Sequence, residues 1–275
     1  MGLFRVSGSE PQFLQVTGGG AARRIAYLAD PPTAEPAVSL FWLSGYKSDM
    51  VSTKAKALAE FARAKGYGCT RFDYSGHGLS GGRFEDGTIG QWLAEAEAVF
   101  AQAARGPQIV IGSSMGGWIA LLLLRRLLRE APAEARRIAA VLLIAPAWDM
   151  TEELMWKKFD ARARRDLIEE GVYRQPSEYG EPYAITRALI EEGRAHLLGR
   201  EPFDPGRPVV ILQGALDAAV PIAHTRELVD LLKGGPGSAG VELHEIADGE
   251  HRLSRPEDLA LLFAAIDKLA HGKRP

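Results

Sequence analysis

The chain has 275 residues, 46% hydrophobic and 25% charged, with 33 basic and 35 acidic side chains. This composition excludes collagen-like, disordered and disulfide-scaffold classes, and a chain of this length buries a core without disulfide or metal staples. A net charge of −2 gives no electrostatic reason for nucleic acid or an anionic membrane to be the main partner, and the lone Cys69 has no internal disulfide partner, which fits a reducing compartment.

Apolar runs of strand length alternate with helical patterns along the chain. Gln12–Thr17 and Arg24–Ala29 alternate polar and apolar side chains and predict an opening antiparallel pair, split by Gly18-Gly19-Gly20. Val38–Leu43 is nearly continuous apolar, as in a strand buried on both faces. Thr53–Lys65 has helical spacing through Ala57, Leu58, Phe61 and Ala62, and stops at Gly66, a C′ glycine. Cys69–Tyr74 reads as strand, and Thr88–Ala104 as a helix with a capping box from Thr88 and Gln91. Gln108–Ile111 is strand, and Gly116–Arg129 a helix so apolar in its first turns that it belongs at the centre of the core. Ala140–Ala145, Val209–Gln213 and Val241–Ile246 complete eight strands, with helices near Ala223–Leu232 and Pro256–Ala270 after the last two.

This alternation predicts an α/β fold: a mostly parallel eight-stranded sheet flanked by helices, formed by residues 1–147 and 201–275. Residues 148–200 break the pattern. They hold no convincing strand and read as a helical cap insertion, with helices over Thr151–Glu170 and Ala184–Leu198 and the aromatics Trp148, Trp156, Phe159, Tyr173, Tyr179 and Tyr183. Gly106–Leu124 is 19 uncharged residues, close to a bilayer span, but Pro107 and the glycines and serines of 112–117 divide it into strand, turn and helix. Met1–Val6 lacks the apolar stretch of a secretory signal, and Val6 stands where a myristoylation pattern has Ser or Thr. A soluble, cytoplasmic chain without stable membrane insertion is therefore expected.

The chemistry centres on Gly112-Ser113-Ser114-Met115-Gly116, a G-x-S-x-G pattern with an apolar strand before it and a buried helix after it. A turn this tight strains the serine backbone and leaves no room for side chains two positions either side, while the helix N-terminus favours developing negative charge. A second match, Gly78-Leu79-Ser80-Gly81-Gly82, runs into a polar turn instead, so Ser80 is read as a loop residue. The same stretch formally contains G-x-G-x-x-G from Gly76, but its third glycine does not open a helix, and a dinucleotide site is rejected.

A serine nucleophile needs a general base. His77 lies in the glycine loop, His196 in the insertion, His224 at a helix start, His244 within a strand and His271 in the tail; His251 alone stands between the last strand and the last helix. Asp217, just past strand Val209–Gln213, is the favoured orienting acid, giving the order Ser114, Asp217, His251. Asp204 precedes the strand, while Asp248 and Asp149 are weaker rivals. The oxyanion donors are expected to be the backbone amides of Met115 and of Tyr46, in the loop Ser44-Gly45-Tyr46-Lys47-Ser48; the Tyr46 ring can equally pack under the insertion. No His/Cys/Asp/Glu cluster has metal-ligand spacing, so neither metal nor cofactor is expected, and Cys69 reads as a buried small hydrophobe.

These motifs resemble the α/β-hydrolase superfamily over nearly the whole chain. More narrowly, Arg71-Phe72-Asp73-Tyr74-Ser75-Gly76, Gly112-Ser113-Ser114-Met115-Gly116-Gly117-Trp118 and Pro176-Ser177-Glu178-Tyr179 look like the mitochondrial palmitoyl-protein thioesterase and acyl-glucuronide esterase branch of the abhydrolase-domain group, from about Ala37 to Leu269. The resemblance implies a serine acyl hydrolase with its triad on Ser114, Asp217 and His251. No Arg/Ser-rich transit peptide precedes the domain here, so the branch's substrates need not carry over. The expected activity is cleavage of a small-molecule acyl ester or thioester, or of an acylated protein, under a roof in which Trp148, Trp156 and Phe159 bind an apolar acyl group; those aromatics serve equally well as cap core. Alternatives are an acyltransferase or a peptidase with the same triad, and a non-catalytic binding module of this fold.

Overall fold

The computed structural model describes residues 10–18, 21–33, 38–177, 180–234 and 240–272. Met1–Val6, Gly19 and Gly20 of the first turn, and Glu178 and Tyr179 lie outside the described residues. Strands β1 (Gln12–Val16), β2 (Arg23–Asp30), β3 (Ser39–Leu43), β4 (Gly68–Phe72), β5 (Gln108–Ser113), β6 (Ile138–Ile144), β7 (Val172–Ser177), β8 (Gly180–Thr186), β9 (Val209–Gly214) and β10 (Val241–Ile246) alternate with α1 (Thr53–Lys65), α2 (Ile89–Gln102), α3 (Met115–Glu130), α4 (Pro132–Ala135), α5 (Ala161–Glu169), α6 (Arg187–Gly193), α7 (Ile222–Lys233) and α8 (Pro256–His271).

Eight strands form one sheet in the order β1-β2-β4-β3-β5-β6-β9-β10. Its interior strands are parallel, and β2 runs against both neighbours. The sequence explains the layering. β3, β4, β5 and β9 are buried at every position, as strands covered on both faces must be. Helices α2, α3 and α7 bury Trp92, Trp118, Leu123 and Leu228 on one face, while α1 and α8 bury Leu58, Ala62, Leu262 and Ile266 on the other. α3 is buried from Met115 to Leu124, so Gly106–Leu124 is strand, turn and central helix; among the described residues no helix is long and apolar enough to cross a membrane.

The parallel register brings the ends of β3, β5, β6, β9 and β10 to one edge: Leu43 faces Gly112, Ser113 faces Ile144, Ile144 faces Leu212, and Gly214 faces Ile246. The loops that follow these strands therefore share that edge.

Residues 148–200 differ from expectation. A single helix over Thr151–Glu170 is replaced by a π turn (Thr151–Met155), a 3-10 turn (Trp156–Lys158) and α5, and the segment has a strand pair after all: β7 and β8 form an antiparallel hairpin. Polar residues and Pro176 hide β7 in the sequence; Pro176 sits at the register shift between Gln175 and Ser177, where a missing N–H is tolerated. Ile185 of β8 packs with Leu167 and Ile190, and Thr186 ends the strand by capping α6, its hydroxyl accepting from Leu189 N at 3.1 Å. Asp149 ties the two ends of the segment together, accepting from Leu198 N at 2.7 Å and Gly199 N at 3.1 Å.

Candidate active site

Ser114 sits where β5 passes directly into α3, with φ of 54°. A non-glycine residue in this region is strained unless its surroundings hold it there. Here Ser114 N donates to Ile144 O at 2.9 Å, and its carbonyl accepts from Gly117 N and Ala147 N at 2.9 and 3.1 Å. The flanking glycines make room: a Cβ on Gly112 would run into the Gly116 carbonyl, and one on Gly116 into the Leu43 carbonyl.

The other two expected groups arrive from the loops after β9 and β10. His251 Nδ1 lies 2.8 Å from Asp217 Oδ2, and its Nε2 lies 3.1 Å from Ser114 Oγ. An ionised carboxylate only accepts, so Nδ1 carries the proton in the neutral ring and Nε2 accepts from the serine hydroxyl. The two loops are locked together, with Ala215 N donating to Ile246 O and Leu216 N to Gly249 O, both at 2.9 Å. Buried Leu253, at φ 41°, anchors the histidine loop in the core. Lys54 Nζ donates to the Arg252 carbonyl and to Ser254 Oγ; burial, together with Arg252, lowers its ammonium to about 8 despite Asp258.

Asp217 is 5% exposed, and burial alone would raise its pKa. The His251 hydrogen bond and charge, with donors from Val220 N and Gln213 Nε2, outweigh that and hold the carboxyl below the ordinary carboxylate value. Its Oδ1 accepts from Ala219 N at 2.9 Å and Val220 N at 2.8 Å. Gln213 is a further member of this network that sequence reasoning does not single out. Wholly buried, it donates to Asp217 Oδ2 at 3.1 Å and to Val220 O at 3.0 Å, and its Oε1 accepts from Thr225 at 2.7 Å. Its one sequence signal is an amide at the end of an otherwise apolar strand.

The rival acids are engaged elsewhere. Asp248 pairs with Arg255 at 2.8 Å, Asp204 accepts from Gly206 N at 2.8 Å, and Asp149 clasps Leu198 and Gly199. Beside Ser114, a Cβ on Gly45 would lie 3.3 Å from both Ser113 O and Ser114 Cβ, so the loop after β3 presses on the serine. Among the described residues, nothing accepts from the amides of Tyr46 or Met115. The Tyr46 ring does pack under residues 148–200, with its hydroxyl donating to Ala184 O at 2.9 Å.

A serine, an imidazole and a carboxylate joined on the loop edge of such a sheet invite comparison with known hydrolases. The family described as serine aminopeptidase, S33 matches residues 34–180, more than half of the chain. The chain belongs to this α/β-hydrolase family. The human palmitoyl-protein thioesterase ABHD10, mitochondrial, is 32% identical over 84% of this hydrolase and 72% of the human protein. A protein of Agrobacterium vitis S4 assigned as a hydrolase has a crystal structure with TM-score 0.90 and 42% identity, covering 95% of this chain and 99% of that one. Mouse alpha/beta hydrolase domain-containing protein 10 superposes with TM-score 0.80 at 28% identity, over 95% of this chain and 98% of that one.

Within this α/β-hydrolase, the expected acyl-binding aromatics have other employment. Trp148 has no exposed surface: its Nε1 donates to His224 O at 2.9 Å, its ring stacks on His224 at 4.7 Å, and His224 Nε2 donates to Trp148 O at 2.9 Å. It is a clasp on α7 and offers no face to a ligand. Trp156 and Phe159 pack against Leu167, Ile185 and Ile190 in the inserted segment's own cluster, with Arg164 and Arg194 over the Trp156 ring at 5.2 and 5.1 Å and Tyr173 edge-on to Phe159 at 5.4 Å. The aromatics adjoining the loop after β3 include Phe84, Trp92 and Tyr183, with ring centroids 4.8, 6.0 and 6.1 Å from Tyr46.

The remaining features of the hydrolase are structural. Ser80 Oγ donates to Asp73 O at 2.6 Å and accepts from Ala26 N at 2.8 Å, so its hydroxyl faces inward. Burial pushes the Cys69 thiol up to about 12, leaving no thiolate at neutral pH. Among the described residues no three His, Cys, Asp or Glu side chains are grouped to hold a metal.

Proposed function

We propose that this α/β-hydrolase cleaves carboxylic esters or thioesters of acyl groups through an acyl-enzyme on Ser114. The observation that carries this reading is the chain Ser114 Oγ–His251 Nε2 at 3.1 Å and His251 Nδ1–Asp217 Oδ2 at 2.8 Å, beside two amides without acceptors among the described residues. As Ser114 Oγ bonds to the acyl carbon, His251 Nε2 takes the hydroxyl proton and the carbonyl oxygen becomes an oxyanion. The N–H groups of Tyr46 and Met115 donate to that oxygen, and Asp217 stabilises the imidazolium. The carbon–oxygen or carbon–sulfur bond then breaks, and His251 returns its proton to the departing alcohol or thiol. Water adds by the same route: His251 takes one of its protons, the acid is released, and Ser114 regains its hydrogen.

The thioester half of the reading draws on the relatives named palmitoyl-protein thioesterase ABHD10. Residues 148–200 are proposed to roof the acyl site, through Tyr183 and the β8 backbone beside Tyr46 rather than through Trp148. A small-molecule ester or thioester, or an acylated protein, is the proposed substrate. The test is fluorophosphonate labelling of wild type and Ser114→Ala, followed by p-nitrophenyl esters and acyl thioesters of increasing chain length. The wild type is expected to label and turn over both classes, and the variant neither. Labelling that survives in Ser114→Ala overturns the assignment; added alcohol that diverts most product into a new ester favours an acyltransferase.

A further inference from the structure

Immediately after Tyr46, Lys47 adopts a left-handed backbone with φ of 55°. A lysine has no intrinsic reason to be there, and such a conformation persists only where neighbours over-determine it. The neighbour is an imidazole. Lys47 N donates to His77 Nε2 at 3.2 Å, and His77 Nδ1 lies 3.0 Å from the Ser75 carbonyl oxygen. An amide N–H can only donate and a carbonyl can only accept. Both contacts are satisfied by one state of the ring: neutral, with its proton on Nδ1 and the Nε2 lone pair directed at the Lys47 amide. A protonated ring would set N–H against N–H.

The surroundings favour that neutral state. His77 is 6% exposed and enclosed by Tyr74, Phe84 and Trp92, with ring centroids at 5.9, 5.1 and 5.5 Å. Burial lowers its pKa from the ordinary imidazole value; the Ser75 carbonyl and Asp49 act in the opposite direction, and Lys47 adds to the lowering. Trp92 Nε1 also donates to the Ser75 carbonyl, at 3.3 Å, so the acceptor that orients His77 is itself held in place. Among the described residues no hydrogen bond joins His77 to Ser114, Asp217 or His251.

We propose that His77 is a positioning residue for the oxyanion hole: by accepting from the Lys47 amide, it fixes the left-handed turn that aims the Tyr46 N–H at the oxygen of the reacting carbonyl. The proposal rests on the serine-hydrolase reading above. An oxyanion donor works only when placed before charge develops, so a small displacement is felt in the transition state and hardly in ground-state binding.

The test compares wild type, His77→Leu and His77→Gln as full chains. It measures p-nitrophenyl butyrate kinetics, inhibition by an alkyl trifluoromethyl ketone (whose adduct with serine carries an oxyanion) and the thermal midpoint. His77→Leu is expected to lower kcat and weaken the ketone about 10–100-fold with KM changed less than about threefold, as for a donor displaced by about 1 Å. His77→Gln, with an amide oxygen able to accept from Lys47, is expected to restore both to within about fivefold of wild type. The proposal is overturned if His77→Leu binds the ketone as tightly as wild type whatever its thermal midpoint, or if both variants fall equally and in step with KM. Ser114→Ala separates the two levels: if it retains wild-type ketone affinity, the adduct is not on Ser114 and the underlying reading fails instead.

Discussion

Two turns in this hydrolase have the same G-x-S-x-G spelling, and each has a buried aspartate near its serine. At Gly112–Gly116 the strand passes straight into a buried helix, Ser114 is held at φ 54°, and its hydroxyl meets an imidazole. At Gly78–Gly82 no helix follows at once; Ser80 turns inward between Asp73 O and Ala26 N, with both of its hydrogen-bonding roles filled. The last glycines of the two patterns differ in kind as well. Gly116 is needed for space, since a Cβ would meet the Leu43 carbonyl, whereas Gly82 is needed for its φ of 91°, its nearest neighbours being an ordinary 3.5 Å away. What the backbone on either side does, not the spacing of the glycines, separates a serine presented to an imidazole from one locked into a loop.

The sharpest way to break this comparison is to exchange the serines' fates. Ser114→Ala is expected to lower ester turnover by at least about 10⁴-fold, whereas Ser80→Ala leaves turnover within about twofold. Parallel kinetics on the two variants check this, and comparable losses would erase the distinction. Next in size are the glycines. Gly116→Ala should displace the elbow and cut kcat about 100-fold, while Gly82→Ala costs about 1–2 kcal/mol of stability and little activity. Ser80→Ala should show its effect in urea unfolding, losing about 1–3 kcal/mol because the buried Ala26 amide is left without an acceptor.

The smallest expected effect concerns the two aspartates. Asp217 titrates below its unfolded value because the His251 pairing and its other donors exceed the cost of burial, so its stabilising contribution is complete above about pH 4 and is lost as pH falls through the folded value. Asp73 is raised, by burial against the Leu79 and Met50 amides, so its contribution has the opposite sign: present in acid and lost as pH rises through its folded value. Urea midpoints across the acid range should therefore show a shallower acid loss in Asp217→Asn than in wild type.

Much of this architecture is legible in the sequence. The eight sheet strands fall within two residues of the runs read from the sequence: β3, β4, β5 and β9 because strands covered on both faces have little freedom in composition, and the edge strands β1 and β10 because polar and apolar residues mix along them between turn signals. The order Ser114, Asp217, His251 was readable because each lies just beyond a strand that the parallel register brings to one edge. The inserted segment was harder. The β7–β8 hairpin packs mainly against a small local cluster, so its residues alternate only weakly and carry Pro176. Trp148 reads equally as ligand wall or cap core because large aromatics are common in both, and it is its lack of exposed surface and its bond and stacking with His224 that separate the two. Gln213 has only a faint signal, an amide closing an apolar strand, and His77 meets the Lys47 amide from 30 residues away, so nothing in the sequence around it marks that contact.

The clasp at Asp149 has a consequence for how such an enzyme is altered over generations. One carboxylate joins the departure of residues 148–200 to their return at Leu198 and Gly199, so the segment leaves and rejoins the core at one place. Doubling the length of a flexible connection adds only about 0.6 kcal/mol of closure cost. Between those ends the connection can lengthen or shorten at little cost, provided that a replacement still meets α7 as Trp148 does, α2 as Glu192 does and the loop after β3 as Ala184 does.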